Sequence, residues 1–212
     1  MVKKSQEERN MAEDGRVFQA KKLAVLFPGV GYTFDRPLLY FAAKLAEKRG
    51  YEIRRVNYGN FPKNMRGDAG KMQAAFESAA AQTREILSDV DWDAYGDILF
   101  ISKSIGTIVA AEFRKACGIR ARSISYTPLR HTFLFAGGEG IMFHGTADPW
   151  EPDNAAVEEG CRRLGQPLYL FEGANHSLET GDVDTDLVNL RRVMRLTAEF
   201  MDRPAGKRVA YA

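Results

Sequence analysis

The sequence predicts an α/β protein, a three-layer α/β/α sandwich around a mostly parallel sheet of about six to seven strands. Three observations predict it. Short runs such as Leu23–Phe27, Ile98–Ile101 and Ile141–Phe143 are apolar throughout, as in strands covered on both faces. Between such runs, apolar residues recur at helical spacing. The alternation of the two implies crossover connections, and therefore parallel strands with helices on both sides.

Each element has its own justification. Residues 1–15 are polar and charged and read as a mobile or surface arm, with 16–202 as one domain and 203–212 as a polar tail. Val17 to Ala20 offers a short edge strand. Leu23–Phe27 ends in the glycine-rich turn Pro28-Gly29-Val30-Gly31-Tyr32-Thr33. Asp35 is placed to cap the next helix, with Pro37 in its first turn and Gly50 at its end. Its apolar face is Leu38, Leu39, Ala42, Leu45 and Ala46. Tyr51–Tyr58 alternates and is more polar, as expected nearer a sheet edge. After a loop, Gly59–Gly70, a helix is marked by Met72, Ala75, Phe76, Ala79, Thr83, Ile86 and Leu87. The strand through Ile98–Ile101 leads to a helix carrying Ile105, Ile108, Val109 and Phe113, closed by Gly118. Arg122–Tyr126 is a further strand, followed by a Phe- and Gly-rich linker, Leu129–Gly140. After Ile141–Phe143, Asp153 opens a helix with Ala156, Val157, Cys161 and Leu164 inward. Pro167–Phe171 is the last strand. Leu187, Leu190, Met194, Thr197, Phe200 and Met201 mark the final helix.

Composition narrows the function classes. A chain of 212 residues suits one domain with a full core. Its 30 basic and 28 acidic residues leave a net charge of +2, which gives no electrostatic case for nucleic acid or a membrane surface. Cys117 and Cys161 fit neither a metal spacing nor a disulfide framework, and read as half-buried helix residues in a reducing compartment. The charged N-terminus has no signal-peptide core, and no apolar run approaches membrane-spanning length. The expectation is a cytoplasmic protein that needs no cofactor and no metal, with its oligomeric state left open.

The segment with chemical content is Ser102-Lys103-Ser104-Ile105-Gly106. It follows a strand and opens a helix, the context in which G-x-S-x-G forms a nucleophile elbow. A serine on such a turn stands clear of the backbone and faces the free N–H groups of the helix. The positions two before and two after it must be small, because strand and helix pass close together. Gly106 meets this fully, and Ser102 replaces the usual glycine. A serine in such a turn is also a common helix cap, so further motifs have to decide.

Two further motifs lie just past later strands: Gly145-Thr146-Ala147-Asp148-Pro149-Trp150 and Gly173-Ala174-Asn175-His176-Ser177. With Ser104 they make the chain resemble the α/β-hydrolase superfamily from about Leu23 to the final helix, in its chain order Ser, Asp, His. The resemblance implies a serine hydrolase with Ser104 as nucleophile, His176 as general base and Asp148 as the group that orients the imidazole. The tetrahedral oxyanion needs N–H donors. The elbow geometry supplies Ile105. The resemblance places the second donor in the turn after the first core strand, at Val30, with Gly31 and Tyr32 as near alternatives. Gly31, Tyr32 and Trp150 are candidates for lining the pocket.

Gly29-Val30-Gly31 imitates the start of a dinucleotide fingerprint, but the third glycine and the ribose-binding acid are missing. His144 reads as a packed structural residue that could border the pocket, His131 as exposed, and Lys103 as solvated. The interval Thr127–Gly140 is too short for a helical cap, although Phe133 and Phe135 could form a small flap. An open, shallow pocket follows, suited to small or short-acyl esters. The alternatives are a thioester, lactone or amide on the same triad, or a small-molecule-binding protein that only keeps its shape.

Overall fold

The computed structural model describes residues 20–204. The expected arm at 1–15, the edge strand expected at Val17–Ala20 apart from its last residue, and the tail beyond 204 lie outside the described residues. Among the described residues, six strands form one fully parallel sheet: β1 (Lys21–Phe27), β2 (Tyr51–Arg55), β3 (Tyr95–Lys103), β4 (Arg122–Tyr126), β5 (Gly140–Gly145) and β6 (Leu168–Phe171). Five helices connect and flank them: α1 (Pro37–Lys48), α2 (Ala69–Ile86), α3 (Ile105–Ala116), α4 (Asn154–Leu164) and α5 (Val183–Met201).

The strand order is β2-β1-β3-β4-β5-β6. The chain first steps outward from β1 to β2, then crosses back past β1 to β3. With right-handed crossovers, that reversal puts successive helices on opposite faces. It leaves a switch point between β1 and β3, where such sheets form a crevice outside the carboxyl ends of their strands. β2 is an edge strand, as its polar alternation predicts.

Side-chain alternation sorts the core into two halves. Ala24 and Leu26 of β1, with Leu99 and Ile101 of β3, pack toward Leu38, Leu39, Ala42, Val193 and Phe200 of α1 and α5. Leu23, Val25, Phe27, Ile98 and Phe100 face the other way, onto Ala79, Val109 and Phe113 of α2 and α3. One polar cluster ties the sheet to the end of α5. Arg122 donates to Asp97 at 2.8 Å, to the Tyr51 hydroxyl at 2.7 Å and to the Phe200 carbonyl oxygen at 3.0 Å.

Several local expectations are corrected. Asp35 does not cap α1: Arg36 holds that position without a side-chain bond, and the Leu38 N–H is taken by the Tyr32 hydroxyl at 3.1 Å. A phenol from the preceding turn thus replaces the expected cap. Asp153 does cap α4, accepting from the Ala156 N–H. Leu187 is exposed on α5, and Val193 is buried instead. Cys117 is exposed and Cys161 buried, so neither is half-buried. The 129–140 linker contains a short 3-10 helix, Arg130–Leu134. Phe133 and Phe135 do not form a flap. Phe133 packs on Gly160 of α4, where a β-carbon would stand 2.6 Å from its ring, and Phe135 stacks on Phe76. Among the described residues no helix is long and apolar enough to cross a membrane.

Candidate active site

Ser104 sits between the end of β3 and the start of α3 with φ 58° and ψ −127°. That backbone is rare for a residue with a β-carbon, and such strain persists only where the surroundings impose it. Here they do. The Ser104 N–H is held by the Tyr126 carbonyl oxygen at 3.1 Å, and its own carbonyl oxygen takes the Thr107 N–H at 2.9 Å and hydroxyl at 2.6 Å. At Gly106 a β-carbon would stand 2.6 Å from the Pro28 carbonyl oxygen, so helix and strand do meet as closely as the motif requires. Ser102 is buried and its hydroxyl donates to the Ile124 carbonyl oxygen at 3.2 Å. Ser104 makes no capping bond with its side chain, which leaves Oγ for other work.

Oγ lies 2.8 Å from His176 Nε2, and His176 Nδ1 lies 2.6 Å from Asp148 Oδ2. The ionised carboxylate only accepts, so Nδ1 carries the proton and Nε2 presents its lone pair to the serine hydroxyl. Two turns hold this geometry. After β5, the Ala147 N–H donates to the Ala174 carbonyl oxygen at 3.0 Å, and the Thr146 hydroxyl accepts from the Gly173 N–H at 2.8 Å. Gly145 is required here, because a β-carbon would run into the Ala174 backbone. After β6, Asn175 closes the loop by accepting from the Ser177 N–H at 2.7 Å.

The electrostatics follow from burial and partners. Burial would raise the Asp148 pKa, but the His176 hydrogen bond and charge and the Trp150 N–H at 2.9 Å outweigh it and hold the carboxyl below its ordinary value. Burial pushes His176 below its ordinary value, against the hydrogen bond it donates to Asp148, which raises it. A neutral imidazole is therefore favoured near neutral pH, the form that can take a proton. The Trp150 ring lies 5.7 Å from that of His176.

The turn after β1 is pressed against the nucleophile. A β-carbon on Gly29 would come within 3.0 Å of the Ser104 β-carbon, and the Tyr58 hydroxyl pins the Pro28 carbonyl oxygen at 2.5 Å. Among the described residues neither Val30 nor Ile105 uses its N–H in a backbone hydrogen bond, whereas the Tyr32 N–H closes the turn onto the Gly29 carbonyl oxygen at 3.3 Å. Val30 is 38% exposed, and Gly31 beside it has φ 69°. Tyr32 points inward, buried over the start of α1, and not toward solvent.

Lys103 corrects its expectation: it is buried, not solvated. His144 is packed as expected. Its Nε2 donates to Asn154 Oδ1 at 2.9 Å, and its Nδ1 lies 3.9 Å from Asp148 Oδ2. This second imidazole behind Asp148 was not legible as such in the motif. His131 is exposed. Among the described residues no group of three or more His, Cys, Asp or Glu side chains is arranged to hold a metal ion.

The chain matches no family model and no curated protein. Solved structures match it in fold. An α/β serine hydrolase homologue from Coxiella burnetii is 18% identical, with 85% of each chain covered and a TM-score of 0.57. A serine hydrolase without a lid from Xanthomonas campestris is 18% identical over 92% of this chain and 89% of its own, at 0.54. An esterase from Pyrococcus furiosus is 14% identical over 88% of this chain and 84% of its own, at 0.59. At these identities the likeness is one of architecture, and the chain has the α/β-hydrolase fold.

Proposed function

We propose that this chain is a serine hydrolase that works through an acyl-enzyme, acting as a carboxylesterase on small or short-acyl esters. The observation that carries the reading is the continuous chain from Ser104 Oγ through His176 to Asp148, at 2.8 and 2.6 Å, on a serine held in strained backbone. His176 takes the Ser104 proton as Oγ attacks the ester carbonyl carbon. The N–H groups of Ile105 and Val30 receive the oxyanion. The tetrahedral species then collapses, and His176 gives its proton to the leaving alkoxide. Water, deprotonated by the same imidazole, releases the acid and restores Ser104.

The ester preference rests on the surface around the site. The 129–140 segment carries only a short 3-10 helix, and its two phenylalanines are committed to α4 and α2. This supports an open mouth suited to dissolved esters. A fold neighbour described as an esterase, from Pyrococcus furiosus, favours the same bond type.

The test is hydrolysis of p-nitrophenyl esters of increasing acyl length, with Ser104→Ala as control and fluorophosphonate labelling alongside. Turnover that peaks at short acyl groups and disappears with Ser104 is expected. Labelling without ester turnover would keep the nucleophile and move the substrate to thioesters, lactones or amides. No labelling would overturn the catalytic reading.

A further inference from the structure

Lys103 directly precedes Ser104, yet the proposed chemistry gives it no part. By alternation along β3 it shares a face with Leu99 and Ile101, and its side chain enters the half of the core covered by α1 and α5. It is only 1% exposed. Lysines ordinarily keep the ammonium in water even when the stem is covered. Here the ammonium lies 4.9 Å from the centre of the Tyr32 ring, and among the described residues no carboxylate stands within ion-pair distance.

The charged and titratable groups that act on it or lie against it come from several turns at this end of the sheet. Tyr32 follows β1, Asp148 follows β5, and His176 and Glu179 follow β6. His144 of β5 adds a second imidazole beside Asp148, and Tyr126 of β4 lies buried near Tyr32. A group able to carry positive charge is therefore enclosed in the half of the core that also holds Ala174 and Leu178, on either side of His176, and among the described residues it has no ion-pair partner. Burial pushes its pKa down from 10.5 to about 7, against the pull of Asp148 and Glu179. Its charge in turn acts on His176 in the same direction as desolvation.

We propose that Lys103 is a positioning residue, a buried cation in the core half on which the His176 loop packs, that sets the protonation of His176 and with it the pH range in which Ser104 is activated. This role rests on His176 being the general base. A like charge nearby disfavours a second one, so protonated Lys103 keeps His176 neutral and ready to accept. As Lys103 loses its proton, the imidazolium becomes easier to form and His176 becomes the stronger base. The two groups titrate as a coupled pair. Lysine suits this place because arginine would stay charged throughout.

The experiment is an NMR titration of the three histidines from about pH 5 to 10, with Lys103 followed at its ε-methylene. It uses the unaltered protein, Lys103→Met and Lys103→Arg. In the unaltered protein the His176 signal is expected to move in two steps, the second coinciding with Lys103. In Lys103→Met it moves once, at a midpoint roughly one pH unit higher. In Lys103→Arg it moves once, at no higher pH than in the unaltered protein. A single His176 step in the unaltered protein, independent of Lys103, overturns the proposal even where neither variant folds. The same midpoint in all three proteins does so as well. Because the titration needs no turnover, it separates this idea from the catalytic reading. In an active enzyme, the acid limb of kcat/KM moves with the NMR midpoint.

Discussion

Gly106 of α3 and Pro28 at the end of β1 meet backbone to backbone, and a β-carbon on the glycine would lie 2.6 Å from the Pro28 carbonyl oxygen. Neither side of this contact is a flexible side chain that could swing away. Gly106→Ala is therefore expected to lose about 2–4 kcal/mol of stability. Urea unfolding measures it. A variant as stable as the parent would mean that strand and helix can part without cost.

The strained backbone of Ser104 makes an opposite forecast. Its φ of 58° and ψ of −127° suit glycine far better than serine. Ser104→Gly should abolish turnover yet raise stability by about 1 kcal/mol, after the entropy cost of glycine is subtracted from the relieved strain. An increase in Tm with complete loss of labelling is the expected pair of results, and a fall in Tm would contradict the strain.

Asp148 holds the imidazole by a single short bond to Nδ1. In Asp148→Asn the amide oxygen can still accept, but the amide can equally donate and select the wrong tautomer. The loss in kcat should be on the order of 10⁴-fold with the fold intact. Ester assays beside circular dichroism decide it, and a loss of less than tenfold would show that His176 is oriented by something else.

Lys103 also has a thermodynamic signature. Its folded pKa is depressed from 10.5 to about 7, so the unfolded chain binds a proton that the folded chain gives up between those values. The resulting penalty is full below pH 7 and fades as pH rises toward 10.5. Lys103→Met should thus gain on the order of 4 kcal/mol near pH 6 and much less near pH 10. A gain that does not vary with pH would show that the penalty is steric and not electrostatic.

Arg122 is buried at the far end of the sheet, where it joins Asp97, Tyr51, the Phe200 carbonyl in the last turn of α5 and the Arg203 carbonyl just beyond it. Arg122→Ala leaves Asp97 without its cation and should cost roughly 3–5 kcal/mol. Tyr51→Phe removes one hydroxyl and should cost only about 1–2 kcal/mol. Thermal melts of the two variants test the ranking. Since the cluster lies at the amino ends of the strands, kcat should be unchanged in both at low temperature.

The sheet was legible because strands covered on both faces leave unbroken apolar runs, as at Leu23–Phe27 and Ile98–Ile101. Ser104, Asp148 and His176 were legible because each follows such a run. What escaped depends on partners that no sequence motif names. No local rule says that a phenol from Tyr32 will replace Asp35 at the start of α1. Phe133 and Phe135 looked free because the glycine and the ring that receive them lie far along the chain. Lys103 is different. Its parity with Leu99 and Ile101 already pointed it inward, and its charge alone led to the solvated reading. Leu187 erred the other way, since helical spacing marks a face but not where along α5 the sheet stops covering it.

The anchoring of Phe133 on Gly160 and of Phe135 on Phe76 bears on how such an enzyme would meet a sparingly soluble substrate. Neither ring is free to swing as a hinged door that an oil–water boundary could push open. Rate should then follow the concentration of dissolved ester alone. It should level off where the solution saturates, with no jump when droplets or micelles form.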